Sequence, residues 1–311
     1  MAQHTTFRIG GLADAWVRVD DRQALARVLQ VCREAGVRIW LLGRGSNVLV
    51  SDQGLRGVVV CLGGELAEVG RRGTGDEGRG TELVCGGGAA LDAVAGLAEK
   101  EGLVGAEFLA GIPGTVGGGL HSNAGAFGRS LGDIVTSVTV LDSAGSEQAL
   151  TGAQIRREYR RPMTDQDLVA VEVTMELQPG KPEPAAAIRE QRWAKHPKEP
   201  SAGSFFRNPE TGDGGRVPAG KLIEHCGLKG KTIGGAKVSE KHANFIVNTG
   251  RARFADVYEL VQVIRATVEE QTGILLEEEV QYLPGPNEGR SQNAEVRTQN
   301  SRKRVGAANG G

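Results

Sequence analysis

The chain has 311 residues, of which 39% are apolar and 24% charged, and a formal net charge of −1. That length allows two domains, or three small ones, with real cores, and Lys and Arg spread evenly along it mark no nucleic-acid or membrane surface. No apolar run approaches the roughly 18 residues of a spanning helix, and "MAQHTTFRIGG" has neither the charged start nor the apolar run of a secretion signal.

In chain order, "AWVRV" (Ala15 to Val19) reads as a strand, and Asp21 as the cap of a helix through "RQALARVLQVCREAG" that stops at Gly36. "VRIWLLG" reads as a buried strand, "RGSN" as a turn, and "VLV" and "GVVVCL" as further strands, a βαβ-like opening. Residues 65–82 are charged and Gly-rich and are expected to form an exposed hairpin or loop. "ALDAVAGLAEKEG" is a helix ending at Gly102, and "IVTSVTVLDSAG" and "LVAVEVTMEL" are alternating strands. "QPGKPEP" (Gln178 to Pro184) has a linker composition, and a helix then crosses to "KHPKEP". From about 201 to 285 the composition changes. "FADVYELVQVIRATVEEQTG" has helical apolar spacing, and "ILLEEEVQYL" reads as a closing strand. Residues 286–311 are polar and are expected to be a disordered tail.

Cys32, Cys61, Cys85 and Cys226 lie far apart with no CxxC and read as small buried hydrophobes in a reducing compartment. His4, His121, His196, His225 and His242 are also dispersed, and no metal site is expected. The informative stretches are rich in glycine. "LLGRGSNVLVSD" (Leu41 to Asp52) joins two strands, and its bare backbone N–H groups suit a pyrophosphate. "GIPGTVGGGLHSNAGAFG" (Gly111 to Gly128) holds seven glycines and almost no bulky side chain, as a backbone does where something approaches it closely. Neither is a GxGxxG opening a long helix, nor a GxxxxGK[ST] loop. Tight turns and packing sites are the plainer reading of one such loop; two in the same half favour a large phosphate-bearing ligand.

Six motifs occur in order: "TTFRIGG", "LLGRGSNVLVSD", "EFLAGIPGTVGGGLHSNAGAFG", "GSFFRNP", "AGKLIEHCGLKGKTIGGAKVSEKHANFIVN" and "LEEEV". Together they resemble the UDP-N-acetylenolpyruvoylglucosamine reductase family from about Thr5 to Gly285. The resemblance implies an α+β chain. An FAD-binding unit of the p-cresol methylhydroxylase type, two α+β subdomains over 1–185 with a break near 55–65, is followed by a linker at 186–200. A smaller α+β substrate domain then spans 201–285. It implies non-covalently bound FAD, NADPH as hydride donor, UDP-N-acetylglucosamine enolpyruvate as substrate, and a bacterial cytoplasmic enzyme of peptidoglycan synthesis, with a monomer expected.

By the same resemblance, Gly43, Arg44, Gly45, Ser46, Asn47, Ile112, Gly114, Val116, Gly117, Asn123 and Gly125 contact the FAD. Arg44 stands where the family often has a smaller residue. Ser204 in "GSFFRNP" matches the proton donor; a serine with no Ser/His/Asp arrangement suits protonation of a strongly basic enolate carbon better than hydrolysis. Arg160 in "EYRRP" matches a Tyr-Arg pair and brings a planar fork for the substrate carboxylate. Pro162 departs there from the usual Ser. Glu279, directly before Val280, matches the family's catalytic Glu; on a strand Glu277 and Glu279 share one face. Gln281 stands where Arg is common. Lys195, Lys229, Asn208 and His242 are candidates for the sugar nucleotide. No tyrosine-bearing insertion lies between Arg160 and Ser204, as in the subgroup without a tyrosine loop. The competing readings are a sugar or alcohol oxidase on the same flavin fold, and an inactive nucleotide-sugar-binding protein. The first loop lacks the His or Cys of covalent flavin attachment, and Arg160, Ser204 and Glu279 together argue against inactivity.

Overall fold

Strand β1 (Ala13–Val19) leads through Asp21 into helix α1 (Arg22–Glu34) of the computed structural model, which describes residues 1–72, 81–165, 167–212 and 214–285. The tail expected at 286–311 lies outside the described residues. Asp21 Oδ1 accepts a hydrogen bond from the Ala24 N–H at 2.7 Å, the cap that the sequence pattern predicts. Leu25, Leu29 and Cys32 form the buried face of α1. Strands β2 (Ile39–Leu41), β3 (Val48–Val50) and β4 (Leu55–Leu62) follow. β1 and β2 both pair parallel with β4, which gives the expected βαβ opening, while β3 is held back for the end of the chain.

The stretch 65–82 belongs to the hairpin expected there, its described residues mostly exposed but with Leu66 and Thr81 turned inward. Leu66 is buried in a 3-10 turn (Gly64–Ala67). β5 (Val69–Arg72) then pairs antiparallel with β6 (Thr81–Gly86), which turns Thr81, Leu83 and Cys85 inward; residues 73–80 lie outside the described set. The charges that suggested a loop line the outer face, where Arg72 meets Glu172 at 2.7 Å.

Helix α2 (Leu91–Lys100), strand β7 (Leu103–Val104), the five-residue helix α3 (Val116–Leu120) and the small hairpin of β8 (Gly125–Ala126) and β9 (Arg129–Ser130) lead into β10 (Val135–Leu141), β11 (Glu147–Thr151) and β12 (Val169–Pro179). The resulting sheet runs β11-β10-β12-β6-β5, with β7 against the end of β12. The predicted linker therefore begins too early: Gln178 and Pro179 still pair with Val104 and Leu103. At the end of a strand proline gives up no ladder bond that matters. Helix α4 (Ala185–Lys195) fills most of 186–200.

The last part holds β13 (Ser201–Ser204), α5 (Ala219–His225), β14 (Thr232–Ile233), β15 (Ala236–Val238), β16 (Phe245–Asn248), α6 (Phe254–Thr272) and β17 (Gln281–Leu283). Its sheet runs β13-β16-β15-β14. Val257, Leu260, Val261, Ile264 and Val268 of α6 are buried at helical spacing, and Gly273 ends it at φ +72°. "ILLEEEVQYL" is a regular strand only over Gln281–Leu283, where β17 pairs parallel with β3. The acidic run before it pairs irregularly: the Arg207 N–H donates to Glu277 O, and the Glu279 N–H to Phe205 O. The core of this part also takes in Phe7, Ile9 and Leu49 from the start of the chain.

Candidate active site

Three loops meet at the centre. Thr115, the cap of α3, receives the Gly118 N–H at 3.2 Å, and a Cβ on Gly43 would collide with its Oγ1. The Gly117 N–H donates to Gly87 O at 2.7 Å and the Val116 N–H to Ala89 O at 2.8 Å, so 86–91 joins 43–47 and 111–120. This third Gly-rich loop, "GGGAAL", was not singled out from sequence; its signal is three consecutive glycines after a strand. Several of these glycines are therefore required by chain meeting chain.

The remaining surface fits a phosphate-bearing cofactor. Among the described residues, none of the five backbone N–H groups from Gly43 to Asn47 finds an acceptor in the chain. A Cβ on Gly114 would fill the gap between Leu91 Cδ1 (3.3 Å) and Ser46 Oγ (3.6 Å). A run of unengaged N–H groups beside a side-chain-free gap is the donor set that a pyrophosphate takes. Ile112 packs against the main core instead of into this gap. Arg44 is exposed, and its charge helps to hold the Asp92 carboxyl below the usual range, after the larger effect of Arg189.

Around this loop stand the reacting side chains. The Thr6 N–H donates to Gly45 O (3.1 Å) and its Oγ1 to Ser201 O (2.8 Å), tying the loop to β13 and Ser204. Asn47 Nδ2 donates to Glu279 O (3.2 Å), and the Gln281 N–H returns to Asn47 O (3.0 Å). Ser204 directly precedes Phe205, whose carbonyl accepts from the Glu279 N–H (2.8 Å). Arg160 Nε lies 3.3 Å from Glu279 Oε1. Arg160 sits at φ +54°, a conformation that costs a non-glycine residue about 1–2 kcal/mol. Its Nη2 donates to Gly125 O at 3.0 Å. Burial raises the Glu279 carboxyl pKa, and the charges of Arg160 and Arg207 draw it back. Glu277 turns to Arg161 and Arg207 on this side and Glu278 to Arg265 on the other, which is the alternation expected of the acidic run.

Two cavities flank these residues. One of about 220 Å³ is lined by His121, Ser122, Arg160, Arg161, Arg207 and Glu279, among others. A second, of about 330 Å³, is lined by Ser204, Asn208, Lys221, Lys241, His242 and Asn244, among others. Asn208 Oδ1 accepts the Ala219 N–H that opens α5, and His242 Nδ1 accepts from the Asn244 N–H. Lys229 stands behind this cavity, paired at 2.6 Å with Glu224 of its lining. Lys195 is exposed at the end of α4 and lines neither cavity. Asn123 is buried and divides its amide among protein groups: Nδ2 reaches Arg157 O (3.0 Å) and Glu158 O (3.2 Å), and Oδ1 accepts from the Gly132 N–H (2.9 Å). Arg207, Lys221 and Lys241 were missed, although all three lie inside the quoted motifs.

Residues 195–283 match the C-terminal domain of UDP-N-acetylenolpyruvoylglucosamine reductase, and residues 13–151 match an FAD binding domain. UDP-N-acetylenolpyruvoylglucosamine reductase 2 of Symbiobacterium thermophilum is 42% identical over 90% of this chain and 89% of its own length. The reductase of Heliobacterium modesticaldum is 42% identical over 91% and 88%. The chain belongs to the UDP-N-acetylenolpyruvoylglucosamine reductase family. A crystal structure of the reductase from Thermus caldophilus superposes with a TM-score of 0.72 at 32% identity, covering 90% of this chain and 96% of that one. The family membership, the FAD binding domain and the α+β architecture agree with the sequence reading. They make this chain an FAD-dependent oxidoreductase.

Proposed function

We propose that Arg160, Ser204 and Glu279 carry the reductase chemistry of this family member on a ligand that spans both cavities. The reaction is reduction of the enolpyruvyl group of UDP-N-acetylglucosamine enolpyruvate, a step of peptidoglycan synthesis, with NADPH as reductant. The observation that carries the residue roles is the hydrogen-bonded unit around Gly43–Asn47. Through Thr6 and Asn47, the loop offered to the cofactor is tied to the strand of Ser204 and to Glu279, which pairs with Arg160.

FAD, when bound, would supply the hydride chemistry between NADPH and the enolpyruvyl β-carbon. The N–H groups of Gly43 to Asn47, beside Gly114, would hold its pyrophosphate. The Arg160 guanidinium faces the substrate carboxylate and stabilises the charge that grows on it as the enolate forms. The Ser204 hydroxyl gives its proton to the α-carbon. Glu279 holds Arg160 from the far side and orients the hydrogen bonds at that carbon. Asn208, Lys221, Lys241 and His242, with Lys229 behind them, face the nucleotide diphosphate. The reading carries with it a bacterial cytoplasmic location and a monomeric enzyme. No helix among the described residues is long and apolar enough to cross a membrane, and the four cysteines are free.

The test is anaerobic. NADPH should bleach the flavin of both wild type and Ser204→Ala at similar rates. Added enolpyruvyl substrate should reoxidise the wild type promptly and the variant at least ~100-fold more slowly. Equal slowing of both halves would remove Ser204 from the proton-donor role. A wild-type flavin that stays reduced until oxygen enters would favour an oxidase.

A further inference from the structure

Of the two arginines of α4 near the site, one has no balancing carboxylate among the described residues. Arg189 of α4 forks onto Asp92, Nε at 2.8 Å and Nη2 at 3.0 Å. Arg192, three residues on, makes no salt bridge among the described residues, and its Nε is buried without a hydrogen-bond acceptor. Its side chain lies against Gly111, where a Cβ would stand 3.3 Å from Cδ, and its guanidinium carbon is 6.0 Å from the Phe127 ring centre. Burial, and then the nearby Arg160 charge, hold it below the ordinary guanidinium range. The neighbouring carboxylates are already engaged: Asp92 by Arg189, Glu279 by Arg160, and Glu277 by Arg161 and Arg207. A half-buried cation beside another cation, with no counter-ion, is unfavourable until an anion comes between them.

Arg192 lines neither cavity, but it lies by Phe127, two residues along from Gly125, whose carbonyl accepts from Arg160 of the first cavity. The helix that carries Arg192 ends at His196, one turn further on. The His196 ring is 5.9 Å from that of His242, which lines the cavity of Ser204. A substrate carbon within reach of both Arg160 and Ser204 brings its carboxylate to this position.

We propose that Arg192 is a second cation for the carboxylate of the enolpyruvyl substrate, gripping with Arg160 one anion from two sides. The proposal rests on the reading of Arg160 given above. Among the described residues no carboxylate pairs with Arg192, and its charge adds to that of Arg160 as the enolate develops. Lys221 and Lys241 of the second cavity serve the diphosphate, which leaves Arg192 to the carboxylate.

The experiment titrates FAD-loaded protein with two ligands and follows the flavin spectrum. UDP-N-acetylmuramate carries the carboxylate, and UDP-N-acetylglucosamine lacks it. Arg192→Met should weaken the acid about 10- to 100-fold, the range for a hydrogen bond to a charged group, and leave the ligand without the carboxylate unchanged. Arg192→Lys should recover part of the loss. If Arg192→Met does not retain flavin, Arg192→Lys decides, with a smaller loss confined to the acid. Equal losses for both ligands would place Arg192 at the diphosphate and overturn the proposal, as would no loss for either. Arg160→Met, run in parallel, separates the two readings. If it keeps the preference for the acid while Arg192→Met loses it, the role of Arg160 fails and that of Arg192 stands. The reverse pattern removes Arg192 alone.

Discussion

Asn123 holds the backbone from which Arg160 projects. It sits at φ +43° and binds the carbonyls of Arg157 and Glu158 and the N–H of Gly132. Arg157 pins the same segment through the carbonyls of Gly132, Gly152 and Ile155. Asn123→Ala leaves these groups unsatisfied and places a Cβ in a left-handed conformation. We expect a cost of about 2–4 kcal/mol and a rise in KM for the enolpyruvyl substrate. Urea unfolding and steady-state kinetics check this; a cost under ~1 kcal/mol would show that the segment holds itself. The resemblance places Asn123 at the cofactor; the structure adds that its side chain holds a loop more than thirty residues away. Such partners are not written in a local motif. Ser204 and Glu279 stand in short, distinctive strings that draw attention in sequence, whereas Arg192 lies in an ordinary-looking helix and is singled out only by a buried Nε without an acceptor and the lack of a salt bridge among the described residues.

Among the elements, α1 and α6 were legible because a cap or terminal glycine and a clear apolar stripe agree. β6 was not, since "TELVCG" buries only alternate residues and its partner lies across a charged stretch. α3 was not either: "VGGGL" has poor intrinsic helix propensity, and the Thr115 cap and neighbouring loops hold it. The glycines of the three loops are the clearest case of a signal read correctly but incompletely. They leave room for a cofactor, and they also let the loops touch. Gly87 is the severest example, because a Cβ there would overlap the carbonyl oxygen of Ala170 in β12. Gly87→Ala should push 86–91 away from β12 and from Gly117, at a cost of about 1–3 kcal/mol. The purified variant should retain much less flavin per chain than wild type. Full flavin content with unchanged thermal stability would show that the loop has slack.

At the scale of the molecule, the start of the chain closes around the end. Phe7 is fully buried among residues of β16 and α6, and Asn248 Nδ2 donates to its carbonyl at 3.1 Å. The next residue toward the N-terminus, Thr6, joins the cofactor loop to β13. β17 returns to pair with β3, and the Phe254 N–H at the head of α6 reaches Asp52. The sequence marked a change of composition near 201 but not that the core beyond it needs Phe7, Ile9 and Leu49. Contacts across more than two hundred residues leave no periodicity to read. Phe7→Ala should therefore act on the far end of the chain. The lost side chain is worth about 3–5 kcal/mol if the site cannot collapse. Hydrogen exchange should quicken in β16 and α6 while α1 and α2, packed in other clusters, keep their protection. Because Thr6 moves with Phe7, reoxidation of reduced flavin by the enolpyruvyl substrate should slow as well. Exchange that rises only within the first twelve residues would mean that the N-terminal segment is a passenger, and Ser204 would then depend on β16 alone for its place.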